Sequence, residues 1–123
     1  MMKQEVLMYN LNTEKGRKIK MICIRMKIKI KEILPEQYLE PVGYLAGIEG
    51  IEPNGRIYEG TGFDEEMLLM KGFDQGTLDR FLREFSRNRI ERVDLKAVLT
   101  PGNVRWSSLE LYEEIKKEHE ALH

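Results

Sequence analysis

The feature that most constrains this chain is that it matches itself at a shift of 62 residues. Leu7 then falls on Leu69, Met8 on Met70, Leu11 on Phe73, Asn12 on Asp74, Ile19 on Phe81, Cys23 on Phe85 and Ile28 on Ile90. Residue types recur rather than identities, so what repeats is a pattern of burial. Each copy holds an apolar run of strand length, a capping residue, an apolar stripe at helical spacing and a second apolar segment. Two strand–helix–strand units in tandem bury their faces most economically by sharing a sheet.

In the first unit, QEVLMYN (4–10) reads as a strand. Asn12 or Thr13 caps a helix running to about Met26, with Ile19, Ile22, Cys23 and Met26 at helical spacing. KIKIKEI (27–33) alternates with period two, as a strand with one wet face does, and Pro35 ends it. In the second unit, EMLLMKGF (66–73) is a strand, Asp74 a helix cap, and Leu78, Phe81, Leu82 and Phe85 the clearest helical stripe in the chain. VDLKAVLT (93–100) places Val93, Leu95, Ala97 and Leu99 on one strand face. Ser107 and Glu110 form a capping box for a last helix over about 108–121, with Leu111, Tyr112, Ile115, His119 and Leu122 along one side.

The expected fold is α+β: two tandem strand–helix–strand units forming a ferredoxin-like four-stranded sheet with helices on one face, and an extra C-terminal helix. A small parallel α/β sheet is the alternative. At 123 residues one domain is expected, divided into a first unit (1–34), a Gly-rich connector (35–65), a second unit (66–100) and a turn with the C-terminal helix (101–123).

Charge is uneven along the chain. Residues 1–33 carry nine Lys/Arg against three Asp/Glu, and residues 34–123 carry eleven against eighteen. A basic segment attracts anions, but Lys27, Lys29 and Lys31 alternate with Ile28 and Ile30, which a solvated strand face explains. The single cysteine, Cys23, excludes an internal disulfide and sits in MICIRM, where it reads as a small buried hydrophobe. MMKQEVLMYN lacks the long apolar core of an export signal, and no apolar run approaches a membrane span. A cytoplasmic protein without a membrane partner is expected.

The connector holds six glycines between residues 43 and 62. GTG (60–62) is followed by FDEE, which sets carboxylates where a phosphate cradle needs donors. A short helical turn at 36–46 and a turn at Pro53-Asn54-Gly55 are expected instead. Asp64, Glu65 and Glu66 read as a solvated turn ahead of a strand rather than a cation site.

The most informative local stretch is TPGNVRW (100–106). Thr100 and Asn103 bond nearby backbone in turns, Pro101 and Gly102 set the turn, and Trp106 is the only tryptophan. A packing role for Trp106 against the following helix is favoured; Thr100, Asn103 and Trp106 are also the candidates for contact with a ligand or partner. MLLMKGF, LKAVLTP and the Asn103-to-Trp106 turn into the last helix resemble an uncharacterised bacterial family known only as a domain of unknown function. The resemblance is clearest from FDEEMLLMKGF onward, and PVGYLAG (41–47) looks like an upstream element of the same family. It implies a compact cytoplasmic protein in which TPGNVRW is a recurring turn, and it supplies no catalytic residues.

HEALH (119–123) matches the H-E-x-x-H zinc signature, which sets two histidines on one helix face. The usual third ligand lies downstream of the second histidine, here His123, which leaves a carboxylate from elsewhere or adventitious metal capture at the terminus; a terminal helical turn is too mobile for a catalytic shell, and His119 continues the apolar stripe. Ser107 and Ser108 lie at a helix start, where capping is their role, and both histidines lie at the C-terminus, so no Ser–His or Cys–His pair is spelled out locally. Sheets of the expected topology bind RNA through exposed aromatics, and the strands offer only Tyr9.

The reading therefore leans against an enzyme. No catalytic residues, metal or cofactor are assigned. A non-enzymatic interaction or small-molecule sensing module is expected. The alternatives are a metal-dependent hydrolase using HEALH, or a nucleic-acid-binding module through the basic first unit; nucleic acid is not the expected partner. A free sheet edge suggests a homodimer.

Overall fold

The repeat is visible in the backbone of the computed structural model, which is described for residues 3–122. The first unit consists of β1 (Glu5–Tyr9), α1 (Glu14–Arg25) and β2 (Lys29–Glu32), the second of β3 (Met67–Lys71), α3 (Gln75–Arg87) and β4 (Leu95–Val98). Between them lie a 3-10 turn at Pro35–Gln37 and a one-turn helix, α2 (Val42–Leu45), and the long helix α4 (Ser108–Leu122) follows β4. Both unit helices end alike. The Ile28 amide donates to the Cys23 carbonyl at 2.8 Å, and the Ile90 amide to the Phe85 carbonyl at 2.8 Å. Lys27 (φ 58°) and Arg89 (φ 55°) take the left-handed position each such ending requires. Asn10 (φ 58°) and Gly72 (φ 75°) match in the same way after β1 and β3. Thr13 caps α1 by accepting from the Gly16 amide, and Asp74 caps α3 by accepting from the Thr77 amide.

The sheet order is β2-β1-β3-β4, with β1 parallel to β2, β3 parallel to β4, and β1 antiparallel to β3. At the centre of the antiparallel register Leu7 faces Leu69, the same two residues that the 62-residue shift superposes. The two units are thus related by a pseudo-twofold through that pair. This departs from the expected ferredoxin-like order, in which the strands of each unit are separated by a strand of the other. Here they are neighbours. In a ferredoxin-like sheet a short hairpin holds the third strand beside the second. The connector of residues 33–66 is long enough to carry the chain across a face of the sheet and start β3 beside β1 instead.

Helices also cover both faces, not one. Val6, Met8, Leu68 and Met70 face α1 and α3 in a core with Ile19, Ile22, Cys23, Phe81 and Phe85. Leu7, Tyr9, Met67 and Leu69 face the opposite way, into a second core with Tyr38, Val42 and Leu45 of the connector and Leu111 and Ile115 of α4. VLMY and MLLM are apolar at every position because β1 and β3 are buried on both sides. Val93 departs from its expected place. The strand begins only at Leu95, and Val93 packs into the α1/α3 core while Leu95, Ala97 and Leu99 face the other one. Leu122, expected on the packed side of α4, is 81% exposed.

The connector is tied down rather than loose. Tyr58, Tyr38, Phe63 and Tyr112 form a ring stack, with centroid separations of 6.1, 5.0 and 4.0 Å in that order. At Pro53-Asn54-Gly55 the backbone forms no regular turn; the Asn54 and Gly55 amides instead donate to the Glu40 carboxylate at 2.7 and 3.2 Å, which ties this stretch to the connector. Among the described residues no helix is long and apolar enough to cross a membrane.

Candidate functional site

The carboxyl ends of β3 and β4 and the amino ends of β1 and β2 lie at one end of the sheet, because the two units run oppositely. Glu5 is in register with Lys29 on one side and Lys71 on the other. The turn after β3 (Gly72–Asp74) and the TPGNVRW turn after β4 leave from this end, the Leu99 amide still bonded to the Met70 carbonyl at 2.8 Å. In open sheets the carboxyl ends of strands are where ligands are taken.

TPGNVRW is a tight, self-bonded turn. The Asn103 side chain accepts from the Thr100 amide at 2.9 Å and donates to the Val98 carbonyl at 3.1 Å, which ties the turn to the end of β4. Its backbone then serves the connector. The Val42 amide donates to the Trp106 carbonyl and the Gly43 amide to the Val104 carbonyl, each at 2.8 Å, so the turn caps the open start of α2. PVGYLAG and TPGNVRW are therefore one unit in space. Trp106 is half-buried against the core beneath α4. The capping box is formed, with the Ser107 amide donating to Glu110 at 3.0 Å and the Glu110 amide to Ser107 Oγ at 3.2 Å. Thr100 alone of the three candidate residues is exposed.

Beside these turns the sheet end is basic. Lys31 and Lys71 reach the last carbonyls of α2, donating to Leu45 at 2.9 Å and Ala46 at 2.7 Å. Lys71 also lies 3.9 Å from the carboxylate of Glu5, which is 4% exposed. Next to them an open groove of about 800 Å³ is lined by Lys3, Gln4, Lys27, Lys29 and the Gly72–Asp74 turn. Seven of the chain's eleven lysines donate to a carboxylate or a carbonyl. Among the described residues, the four that do not are Lys3, Lys18, Lys27 and Lys29, and three of them line this one groove. Asp74, the groove's one carboxylate, is committed to the start of α3. The Thr77 amide it accepts at 2.7 Å holds its carboxyl below the ordinary value. Three of the nine Lys/Arg of residues 1–33 are thus gathered at one place.

The opposite end of the sheet is acidic but paired. The Tyr112 hydroxyl donates to Glu65 at 2.5 Å and Lys116 lies 3.1 Å from the same carboxylate; the hydroxyl first, then the ammonium, hold Glu65 below its ordinary value. Glu66 pairs with Lys15 at 2.7 Å. His119 lines a cavity of about 340 Å³ with these carboxylates, Arg92 and Asp94. Its companion in HEALH, His123, lies outside the described residues. Among the described residues no group of three or more His, Cys, Asp or Glu is placed to hold a metal ion. Tyr9, the one strand aromatic, is buried under α4, with its hydroxyl 2.7 Å from Ser108 Oγ. Desolvation pushes that phenol well above its ordinary value. Cys23 is buried too, its thiol pushed up to about 12.

One candidate is not legible from local patterning. Lys96 points with Val98 toward the α1/α3 layer, because Leu95 and Ala97 point the other way. Period two alone pairs it with Val98, but a sheet with helices on one face would leave both in solvent. Only two-sided coverage makes a lysine there unusual.

Residues 66–122 match the model of a family described as Domain of unknown function (DUF3783). The match starts one residue before β3 and ends with α4, so it covers the second unit and its C-terminal helix, while PVGYLAG lies outside it. That part of the chain is similar to an uncharacterised domain family, as its sequence suggested. No curated protein and no solved structure matches the chain.

Proposed function

We propose that the chain is a non-enzymatic interaction or sensing module, and that it takes an anionic ligand at the basic end of its sheet. The observation that carries this reading is the concentration of Lys3, Lys27 and Lys29, all without partners among the described residues, around one groove. Like charges held together weaken the fold, and an anion bound among them removes that repulsion. Of the candidates Thr100, Asn103 and Trp106, Thr100, exposed on the turn at the same end, is the one available to a partner. Asn103 and Trp106 then act by shaping the turn.

The test is a thermal-unfolding titration with inorganic phosphate as probe. At phosphate ten times its dissociation constant, binding raises the midpoint by about 5 °C. The double variant Lys27→Gln, Lys29→Gln loses the rise. A rise of equal size in the double variant rejects the groove, and no rise in the native protein rejects the anion. Stoichiometric zinc in the full chain, lost on His119→Ala, would instead restore the hydrolase reading.

A second reading concerns assembly. β2 and β4 are the outer strands of the sheet, and each leaves one edge without a strand partner among the described residues. A homodimer is expected, and light scattering that finds only a 14.5 kDa species at tens of micromolar argues against it.

A further inference from the structure

The two units diverge at one point. After Ile28 the chain enters β2 at once, whereas after its counterpart Ile90 the residues 91–94 precede β4. The strand register measures this insertion. Val6 pairs with Ile30, and Leu68, the counterpart of Val6, pairs with Lys96. Lys96 therefore occupies the place that Ile30 fills in the first unit, directed at the helix layer where period-two patterning calls for an apolar residue. Beside it is a cavity of about 260 Å³, with an apolar wall of Leu82, Phe85, Ile90 and Val93 and a charged wall of Arg92 and Lys96. Arg92 and Val93 come from the inserted residues.

The carboxylates near Lys96 are bonded to other cations. Arg92 is bonded to Asp94 at 3.1 Å, and Lys15 to Glu66 at 2.7 Å. Lys96 makes one hydrogen bond, to the Val93 carbonyl at 2.5 Å, and no ion pair among the described residues. An ammonium in a partly desolvated place without a counter-ion destabilises the fold. Desolvation, aided by Arg92 and Lys15 and opposed by Asp94, draws it below its ordinary pKa. An apolar wall facing a charged wall, in which Arg92 is already bonded to Asp94 and Lys96 has no ion pair among the described residues, is the complement of a small molecule with an apolar body and one negative charge.

We propose that this cavity is a second binding site, which takes a small carboxylate with a branched or aromatic body. The carboxylate meets Lys96 and the body packs on Phe85 and Ile90. The site is separate from the basic groove, whose lining residues it does not share.

Benzoate is the probe, read by chemical-shift titration of the full chain. Saturable shifts are expected at residues of α3 and at Ile90–Lys96. Lys96→Met should weaken binding roughly tenfold or more, the loss expected for one charge-assisted contact. Its unfolding midpoint should stay the same or rise, because the fold takes isoleucine at the equivalent position. Benzyl alcohol, similar in shape but uncharged, should bind the native protein about as weakly as benzoate binds the variant. The proposal is overturned if benzoate shows no saturable binding, if Lys96→Met binds it unchanged, or if benzyl alcohol binds as well. Lys27→Gln with Lys29→Gln should leave benzoate binding intact, so loss of the groove and loss of this site are read separately.

Discussion

Phe81→Ala is expected to lower the stability of this protein by about 3–5 kcal/mol, out of the roughly 5–15 kcal/mol that a domain of this kind has. Phe81 is 0% exposed. Its ring meets Phe73 edge-on at 5.5 Å and Phe85 at 5.2 Å. The side chain lies between α3 and the sheet, in the core that also holds Ile19, its counterpart in the first unit. Truncation removes the apolar contact, both ring pairs and the support of neighbours that cannot collapse into the space. His119→Ala on the same denaturation scale should be mild. His119 is only half-buried and lies near the end of α4, where helix ends open at little cost. If Phe81→Ala were close to neutral, α3 would not be seated on the sheet. If His119→Ala were the costlier change, the C-terminal turn would be an ordered site and HEALH would regain its chemical reading.

What the sequence made legible was local. Caps, helix stripes and the pattern within each copy of the 62-residue repeat depend on residues close in the chain, and they stand in the structure with Thr13 and Asp74 in place and with matched helix endings at Lys27 and Arg89. The order of the strands was not legible, because a βαβ pattern states what each unit is and not which edges meet. A sign was present all the same. VLMY and MLLM are apolar at every position, which one-sided helix coverage does not call for. The same oversight hid Lys96, a wet lysine on an open face and an unusual one beneath a helix layer. The basic groove was visible as composition in residues 1–33 but not as a place, since Lys3, Lys27 and Lys29 meet across β1 and β2 only once the sheet has formed. TPGNVRW was recognisable as a turn from its own residues. That it caps α2, some sixty residues earlier in the chain, is a tertiary fact.

That capping contact leads to the second large effect, Gly43→Ala. Helix propensity alone predicts a gain of about 1 kcal/mol, since alanine replaces glycine within α2. The packing predicts the reverse. A methyl group on Gly43 would lie 2.7 Å from the Val104 carbonyl oxygen, 2.9 Å from Val104 Cβ and 3.2 Å from Ile51. Two of these are atoms of the turn held close to its backbone, which no rotamer change can move aside. The threatened oxygen is also the acceptor for the Gly43 amide at 2.8 Å, so relieving the contact lengthens or breaks the bond that caps α2. Overpacking and the lost bond together outweigh propensity, for a net cost of about 1–3 kcal/mol. Gly76→Ala in the first turn of α3 is the control. Its new methyl would meet nothing closer than Asp74 Oδ1 at 3.6 Å, so propensity should prevail and the change should be neutral or mildly stabilising. The local readout is Trp106, the only tryptophan, whose carbonyl caps Val42. Its emission should shift to the red in Gly43→Ala as the turn lifts from α2, and stay unchanged in Gly76→Ala. Equal stability and unshifted emission in both variants would mean that the turn and α2 are not clamped together, and that TPGNVRW does not hold the connector in place.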